Sequence, residues 1–394
     1  MSEQAPDGVR NGIVALPNAD GGKATRLALY RDNEELSETW IVPYVLRIGA
    51  ATVRMDGIGG VATPEEHRNK GYSRKVLTAA VEYMKAGDAH LTALYGIPHY
   101  YPRWGYATAA HEERTRLVKL DADNVVADGF QVRPATAADL DRIRMLYRDG
   151  TRTLVGAAVR ADDDTAWQEL GKGIETDSGE CRVVGDETDE VLAYAWQPRY
   201  NWWMGKCERE DPQGLHIGEA FAMTPRAADA LLAGLRGWAT ETGKTHVDLH
   251  QPSAGALGMA VRLQDTETLT QTARDAEFMA RSVGTASLVS ALEPELRQRW
   301  LAVRPGWTGT LKLMVDGEAV GIALSADDLV VGDAGERADM IDVDLVPGDL
   351  ARLVLGTFPP HDLLDRIGVA RDVADVLAVL FPERHPYIYP ADRF

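Results

Sequence analysis

Six consecutive residues, Arg68-Asn69-Lys70-Gly71-Tyr72-Ser73, carry the clearest chemical signal in the chain. Arg68 and Lys70 supply two cations, and Gly71 lets backbone approach a ligand closely. Ser73 then opens a stretch, running to about Ala86, in which Val76, Leu77, Ala80, Val81 and Met84 recur at the spacing of one helical face. A pyrophosphate is held best by unbonded backbone N–H groups at the start of a helix, where the helix dipole also favours negative charge. An R-x-x-G turn alone is a weak motif, and a solvated basic turn is its ordinary alternative. Here it lies between the extended Val61-Ala62-Thr63 and an amphipathic helix, with a further strand at Leu91–Leu94, and that context makes it more specific. The edge of Val61-Ala62-Thr63 can pair with the amides of a pantetheine arm, so the ligand indicated is an acyl-CoA.

Other chemistry is harder to find. His67 sits beside the loop, where a histidine more often orders the turn than moves protons. His99, His111, His216, His246 and His250 are scattered without metal-ligand spacing, and Cys181 and Cys207 lie far from them, so no metal is expected. Neither a G-x-S-x-G elbow nor a P-loop occurs. Tyr200, Trp202 and Trp203 form an exposed-looking cluster, suited to packing between domains or to a lid or subunit contact. The chain closes on Tyr387-Ile388-Tyr389-Pro390-Ala391-Asp392-Arg393-Phe394, an aromatic end that reads as buried where polar, fraying tails are usual.

The elements that position the loop fall into three sections. In the first, Trp40–Leu46 and Ala51–Thr63 are extended, the helix ends at Gly87, and Leu91–Leu94 returns parallel to the strand before the loop. In the second, Gln131–Pro134 is a strand and Thr136 caps a helix through Ile143, Leu146 and Tyr147. Leu215–Met223 is then extended, Pro225 starts a helix that Gly243 closes, and Thr245–Leu249 is a strand. This order repeats that of the first section, as a duplicated fold would. The matching turn reads Thr224-Pro225-Arg226-Ala227-Ala228-Asp229 and lacks the glycine and the paired cations, so a second CoA site is not expected. The third section holds a helix around Leu292–Leu301, a hairpin turning at Asp316-Gly317, a strand Ile341–Leu345, and a helix Pro347–Leu355 capped by Gly356.

Composition fits this frame. A chain of 394 residues exceeds one ordinary core, and 45% hydrophobic with 26% charged residues is a soluble globular profile. The formal net charge of -18 repels nucleic acid and anionic lipid and is compatible with cationic amines, although it also serves solubility alone. No run nears the roughly 20 apolar residues of a membrane span. The first residues do not read as a signal peptide, and two cysteines fit a reducing compartment, so the expected location is cytoplasmic.

Val61-Ala62-Thr63 with His67-Arg68-Asn69-Lys70-Gly71 resembles the acetyl-CoA motif of the GNAT superfamily. With Tyr101-Pro102-Arg103-Trp104-Gly105-Tyr106 and the closing phenylalanine, the chain from about Trp40 is similar to the enhanced intracellular survival (Eis) acetyltransferases. The resemblance implies an α/β (α+β) fold of two tandem GNAT-like mixed-sheet domains followed by a sterol-carrier-like domain, at residues 1–128, 129–281 and 282–394. It implies acetyl-CoA as co-substrate, bound by Val61, Ala62, Thr63, Arg68, Asn69, Lys70, Gly71, Tyr72 and Ser73. Tyr101 would be the general acid, since a phenol with a pKa of about 10 keeps a proton for the leaving thiolate. The carboxylate of Phe394 would be the base or would position the amine; a chain-terminal carboxyl ordinarily titrates at about 3.5 and is a weak base unless burial raises it. Tyr101 as one more packed aromatic, and a terminus that merely packs, are the alternatives. The implied partner is a small-molecule amine, namely an aminoglycoside, polyamine or lysine side chain, and the implied assembly is a homo-oligomer, a hexamer in the family.

Three features depart from the pattern. The section before Trp40 lacks a helical pair, with Pro17–Gly22 reading as loop, which predicts an acceptor pocket that is more open or built partly by a neighbouring subunit. Asn69, beside Lys70, stands where a basic residue is commoner, which predicts looser phosphate binding. Arg393 next to the terminal carboxylate disfavours a polycationic acceptor. Two other functions fit the same residues: a lipid-binding module with a vestigial acyltransferase, and a tailoring enzyme that uses a larger acyl-CoA.

Overall fold

A computed structural model describes residues 11–19, 22–97, 99–118, 120, 126–176, 180–252, 255–264, 266–271, 277–333 and 340–394. The chain is mixed α/β with several mixed sheets, and it divides into two compact units. The first comprises residues 1–110, 274–386 and Phe394, and the second 111–273 and 387–393.

The first unit is built on β1 (Asn11–Pro17), β2 (Thr25–Arg31), β3 (Glu34–Ile48), β4 (Ala51–Ala62) and β5 (Leu91–Gly96), joined in that order, with strands Glu277–Ser282 and Ala107–Thr108 continuing beyond β5. β1 to β4 are antiparallel neighbours, and Asp32 and Asn33 take the positive φ that the tight β2–β3 turn demands. Among the described residues no α-helix precedes the one that follows β4, and the strands β1 and β2 occupy that section. Asp20 and Gly21, part of the loop read at Pro17–Gly22, lie outside the described residues. Helix α1 (Tyr72–Ala86) lays Val76, Leu77, Ala80 and Met84 on Ile41, Ile58 and Leu94. Each large side chain so buried contributes roughly 1.5–3 kcal/mol. A separate sheet in this unit pairs Gly309–Val315 with Glu318–Leu324 through Asp316-Gly317, both at positive φ, and pairs Gly309–Val315 in parallel with Met340–Asp344. Helix Thr285–Val303 runs through Pro294 and is longer than its sequence pattern indicated, while Pro347–Leu355 ends on a left-handed Gly356.

The second unit holds two four-stranded sheets. Thr136 and Asp139 form a reciprocal cap before helix Leu140–Gly150. The extended stretch near Leu215 is two strands, Gly214–Ile217 and β6 (Glu219–Ala222), which belong to different sheets. β6 leads into α2 (Pro225–Glu241), and β7 (His246–Leu249) pairs in parallel with Gly214–Ile217. Trp203 is buried in helix Trp202–Glu210, and only Trp202 of that pair is exposed.

Candidate active site

The register of β4 against β5 runs in parallel from Met55 opposite Leu91 to Ile58 opposite Leu94, and there it stops. β4 continues to Ala62 and β5 to Gly96, so the backbone of Gly59–Ala62 has an edge that β5 does not use. Its other edge stays on β3 through an irregularity between Glu38 and Trp40. Ser37 braces the end of β4, donating to the Ala62 carbonyl at 2.9 Å and meeting the Thr63 hydroxyl at 2.9 Å. An unpaired strand edge is what an extended chain bearing amides requires.

The basic loop follows directly. A single 3-10 turn, Glu65–His67, leads to Asn69 and Gly71, both left-handed at φ 61° and 79°. No atom lies within 4 Å of where a Gly71 side chain would start, so glycine is needed there for its backbone angle rather than for space. Gly71 is the N-cap of α1 and offers no side-chain cap, which leaves the first N–H groups of the helix for a ligand. Arg68 donates to the Thr63 carbonyl at 3.2 Å and Lys70 to the Glu66 carbonyl at 2.7 Å. Both cations are exposed, and phosphate oxygens bind such donors more strongly than neutral carbonyls do. His67 pairs with Glu34 at 3.1 Å, and its ring meets that of Tyr72 edge-on, so it orders the turn.

The second repeat contrasts at the equivalent helix end. Thr224 caps α2 by accepting from the Ala227 N–H at 3.2 Å, and Pro225 has no N–H to give. That terminus is already satisfied by its own chain.

Tyr101 opens a short 3-10 turn, Tyr101–Trp104, closed by a left-handed Gly105. Its ring packs edge-on to Tyr100 and Tyr106, and the Tyr100 hydroxyl meets Ser73 at 3.0 Å, which ties this segment to the start of α1. A side chain on Gly96 would collide with the Tyr101 ring, so β5 ends in glycine where the tyrosine crosses it. Burial first, and Tyr100 second, raise the Tyr101 pKa above its ordinary value.

Phe394 lies against Gly57, Tyr44 and Tyr95. Its ring is 5.2 Å from that of Tyr44 and 5.6 Å from that of Tyr95. A Cβ on Gly57 would stand 2.5 Å from the Phe394 ring, and one on Gly59 would stand 3.7 Å from the terminal carboxyl carbon. Strand alternation puts Gly57 and Gly59 on one face of the sheet and Ile58, Leu94 and Gly96 on the other. Phe394 therefore stands on the first face, Tyr101 and α1 stand on the second, and the opening between β4 and β5 joins them. Asp56, beside Gly57 but on the α1 face, has its pKa pushed up to about 6 by burial, against the pull of Arg54.

The residues preceding Phe394 are fixed within the second unit. Arg160, wholly buried, grips Asp392 through Nε at 2.7 Å and Nη2 at 2.9 Å, and Glu219 at 2.5 Å. Its guanidinium lies 3.9 Å from the Tyr147 ring centre. Tyr200 donates to the Ala391 carbonyl at 2.7 Å and Asn201 to that of Arg393 at 3.0 Å. Arg393 itself pairs with Glu112 at 2.9 Å. The aromatic tail is buried, as its composition implied: Tyr387, Tyr389 and Ala391 join the apolar core of the second unit, and the charged and carbonyl bonds above add to that packing.

Of the residues predicted from sequence, Val61 to Ser73 form one continuous strand end, loop and helix start, Tyr101 reaches it through Tyr100, and Phe394 lies across the opening. Gly57, Gly59, Gly96, Tyr44 and Tyr95 were not singled out for the site. Gly57, Gly59 and Gly60 stand close together in the sequence, but only the fold shows what each of them admits.

Residues 22–109 match a family described as acetyltransferase (GNAT) domain. The chain is similar in fold to a GCN5-related N-acetyltransferase from Kribbella flavida, with TM-score 0.67 and 18% identity over 95% of this chain and 88% of that one. A GCN5-related N-acetyltransferase from Anabaena variabilis gives TM-score 0.69 and 17% identity over 94% and 89%. Eis1 from Mycobacterium abscessus gives 0.59 and 16% over 94% and 90%. No curated protein sequence matches the chain. Among the described residues no helix is long and apolar enough to cross a membrane.

Proposed function

We propose that this chain is an acetyl-CoA-dependent N-acetyltransferase of Eis type that acylates primary amines by direct transfer within a ternary complex. The observation that carries the reading is the opening between β4 and β5, with the uncapped α1 at one end and aromatic residues on both faces. The pyrophosphate rests on the N–H groups of Tyr72 and Ser73 with Arg68 and Lys70 beside it, and the pantetheine amides pair with the free edge of Gly59–Ala62. The thioester then lies in the opening. An amine arriving from the Phe394 face gives up its ammonium proton, with the terminal carboxylate holding or accepting it, and attacks the carbonyl carbon. The C–S bond breaks, the thiolate takes a proton from Tyr101 on the opposite face, and the second proton shed by the acylated nitrogen passes through solvent to restore the phenol. Burial, by raising the phenol pKa, keeps that proton in place until the sulfur needs it.

Arg393 is engaged by Glu112, which offsets its repulsion of a cationic acceptor, so aminoglycosides, polyamines and lysine side chains all stay within the reading. It carries with it the division at residues 1–128, 129–281 and 282–394, a sterol-carrier-like third part, a cytoplasmic location and a homo-oligomer. Calorimetry with CoA and with a fatty ligand tests it. CoA binding that weakens on Arg68→Ala is the expected result, whereas fatty-ligand binding without CoA binding would favour a carrier.

A further inference from the structure

Far from the GNAT loop in sequence, the second unit gathers residues for which the proposed reaction has no use. His216 on strand Gly214–Ile217, His246 and Asp248 on β7, and His250 just past β7 converge with Asp211, Arg114 and Arg116. Their sequence spacing conceals this, because the parallel pairing of Gly214–Ile217 with β7 sets His216 directly opposite Asp248.

The geometry points to a binding site for one divalent cation of the zinc class, held by His216 Nδ1, His250 Nε2 and Asp248 Oδ2. Each of the three residues offers a ligand atom within 4.8 Å of the other two, and His216 Nδ1 is 3.2 Å from His250 Nε2 and 3.7 Å from Asp248 Oδ2. Ligands about 2.0–2.2 Å from a tetrahedral zinc stand at similar mutual separations. The outer contacts are of the kind that orient metal ligands. His216 Nε2 lies 2.8 Å from the Asp211 carbonyl, which accepts only, so Nε2 carries the proton and Nδ1 presents a lone pair to the centre. His250 is buried, as is His216, so the centre lies inside the sheet rather than on its surface.

Arg116 and Arg114 are the competing cations. Arg116 donates to Asp248 Oδ1 through Nε at 2.7 Å and to Oδ2 through Nη2 at 2.7 Å, and Arg114 lies 3.2 Å from Oδ2. Arg116 Nη2 also donates to Asp211 Oδ2 at 2.7 Å. Oδ2 can thus pass to a metal while Arg116 keeps Oδ1 and Asp211, and Arg114, which is partly exposed, gives up its ion pair to solvent. Asp211 and Arg116 are partly exposed and give an approach from solvent. His246 Nε2, 3.1 Å from Asp211 Oδ2 and 3.7 Å from Asp248 Oδ2, belongs to the rim. A side chain on Gly214 would come 2.8 Å from His246 Nε2 and 3.0 Å from His216 Nε2, so glycine there leaves both rings their place.

The test is titration of the full chain, first dialysed against a chelator, with Zn(II) and with Co(II). The expected result is one equivalent bound, a Co(II) spectrum of low coordination number, and a thermal midpoint raised by Zn(II). His216→Ala and His250→Ala should each weaken binding by about 100-fold or more, while His361→Ala, in the exposed pair with Asp375 of the first unit, leaves it unchanged. X-ray absorption of the Zn(II)-loaded wild type should show two imidazole ligands, a readout that stands even if a variant fails to fold. Absence of binding, binding that His250→Ala leaves intact, or a spectrum without two imidazoles would overturn the assignment.

Discussion

Gly57 is the position at which one methyl group tests how the terminal carboxylate is placed. Its backbone angles suit any residue, so Gly57→Ala adds a Cβ and little else. That Cβ would stand 2.5 Å from the Phe394 ring, against the roughly 3.7 Å of a normal carbon–carbon contact, so the ring must retreat by about 1.2 Å. Misplacement of a reacting group by about 1 Å costs on the order of 100-fold in rate. Overpacking should cost about 1–3 kcal/mol of stability. The basic loop and α1 lie on other residues, so the CoA dissociation constant should not move. Thiol release under saturating acetyl-CoA and amine gives kcat, and calorimetry gives CoA affinity. A Gly57→Ala protein with full kcat would refute the idea that ring packing positions the carboxylate.

Three further outcomes are expected. Tyr101→Phe keeps the ring packing and removes the proton, so kcat should fall by about 100-fold or more while CoA affinity holds; unchanged kcat would remove Tyr101 from the chemistry. Asp392→Asn leaves Arg160 short of a partner in a wholly buried site, so denaturant unfolding should show a loss of about 3–5 kcal/mol. Asp56 is a carboxyl whose pKa folding raises to about 6, so its ionisation opposes folding as pH rises from the ordinary range near 4 through 6. Asp56→Asn should therefore raise the thermal midpoint at pH 7 and make little difference below about pH 4, which paired melts at the two pH values would check.

The loop was legible because its parts are local. Glycine at a left-handed turn, two cations and an amphipathic helix are all set by neighbours in sequence, and Tyr72–Ala86 begins within one residue of its periodic pattern. The Asp316-Gly317 hairpin and helix Pro347–Leu355 were legible for the same reason. The two N-terminal strands were not, because β1 is an exposed edge with little apolar alternation to mark it. The site beyond the loop depends on contacts across hundreds of residues. Gly57 and Gly96 look like ordinary strand glycines until the rings of Phe394 and Tyr101 occupy the space above them. The histidines show the same limit: His216 and His250 are 34 positions apart, and only the pairing of two short strands brings them within hydrogen-bonding distance.

The most direct measurement is amine-dependent CoA release from acetyl-CoA, across a panel of aminoglycosides, polyamines and lysine peptides, by the full chain and by a chain ending at Arg393. The expected result is turnover with at least one amine, reduced by about 100-fold or more when the Phe394 carboxylate is displaced by one residue, with CoA affinity retained. No release with any amine, or equal release by both chains, would contradict the account.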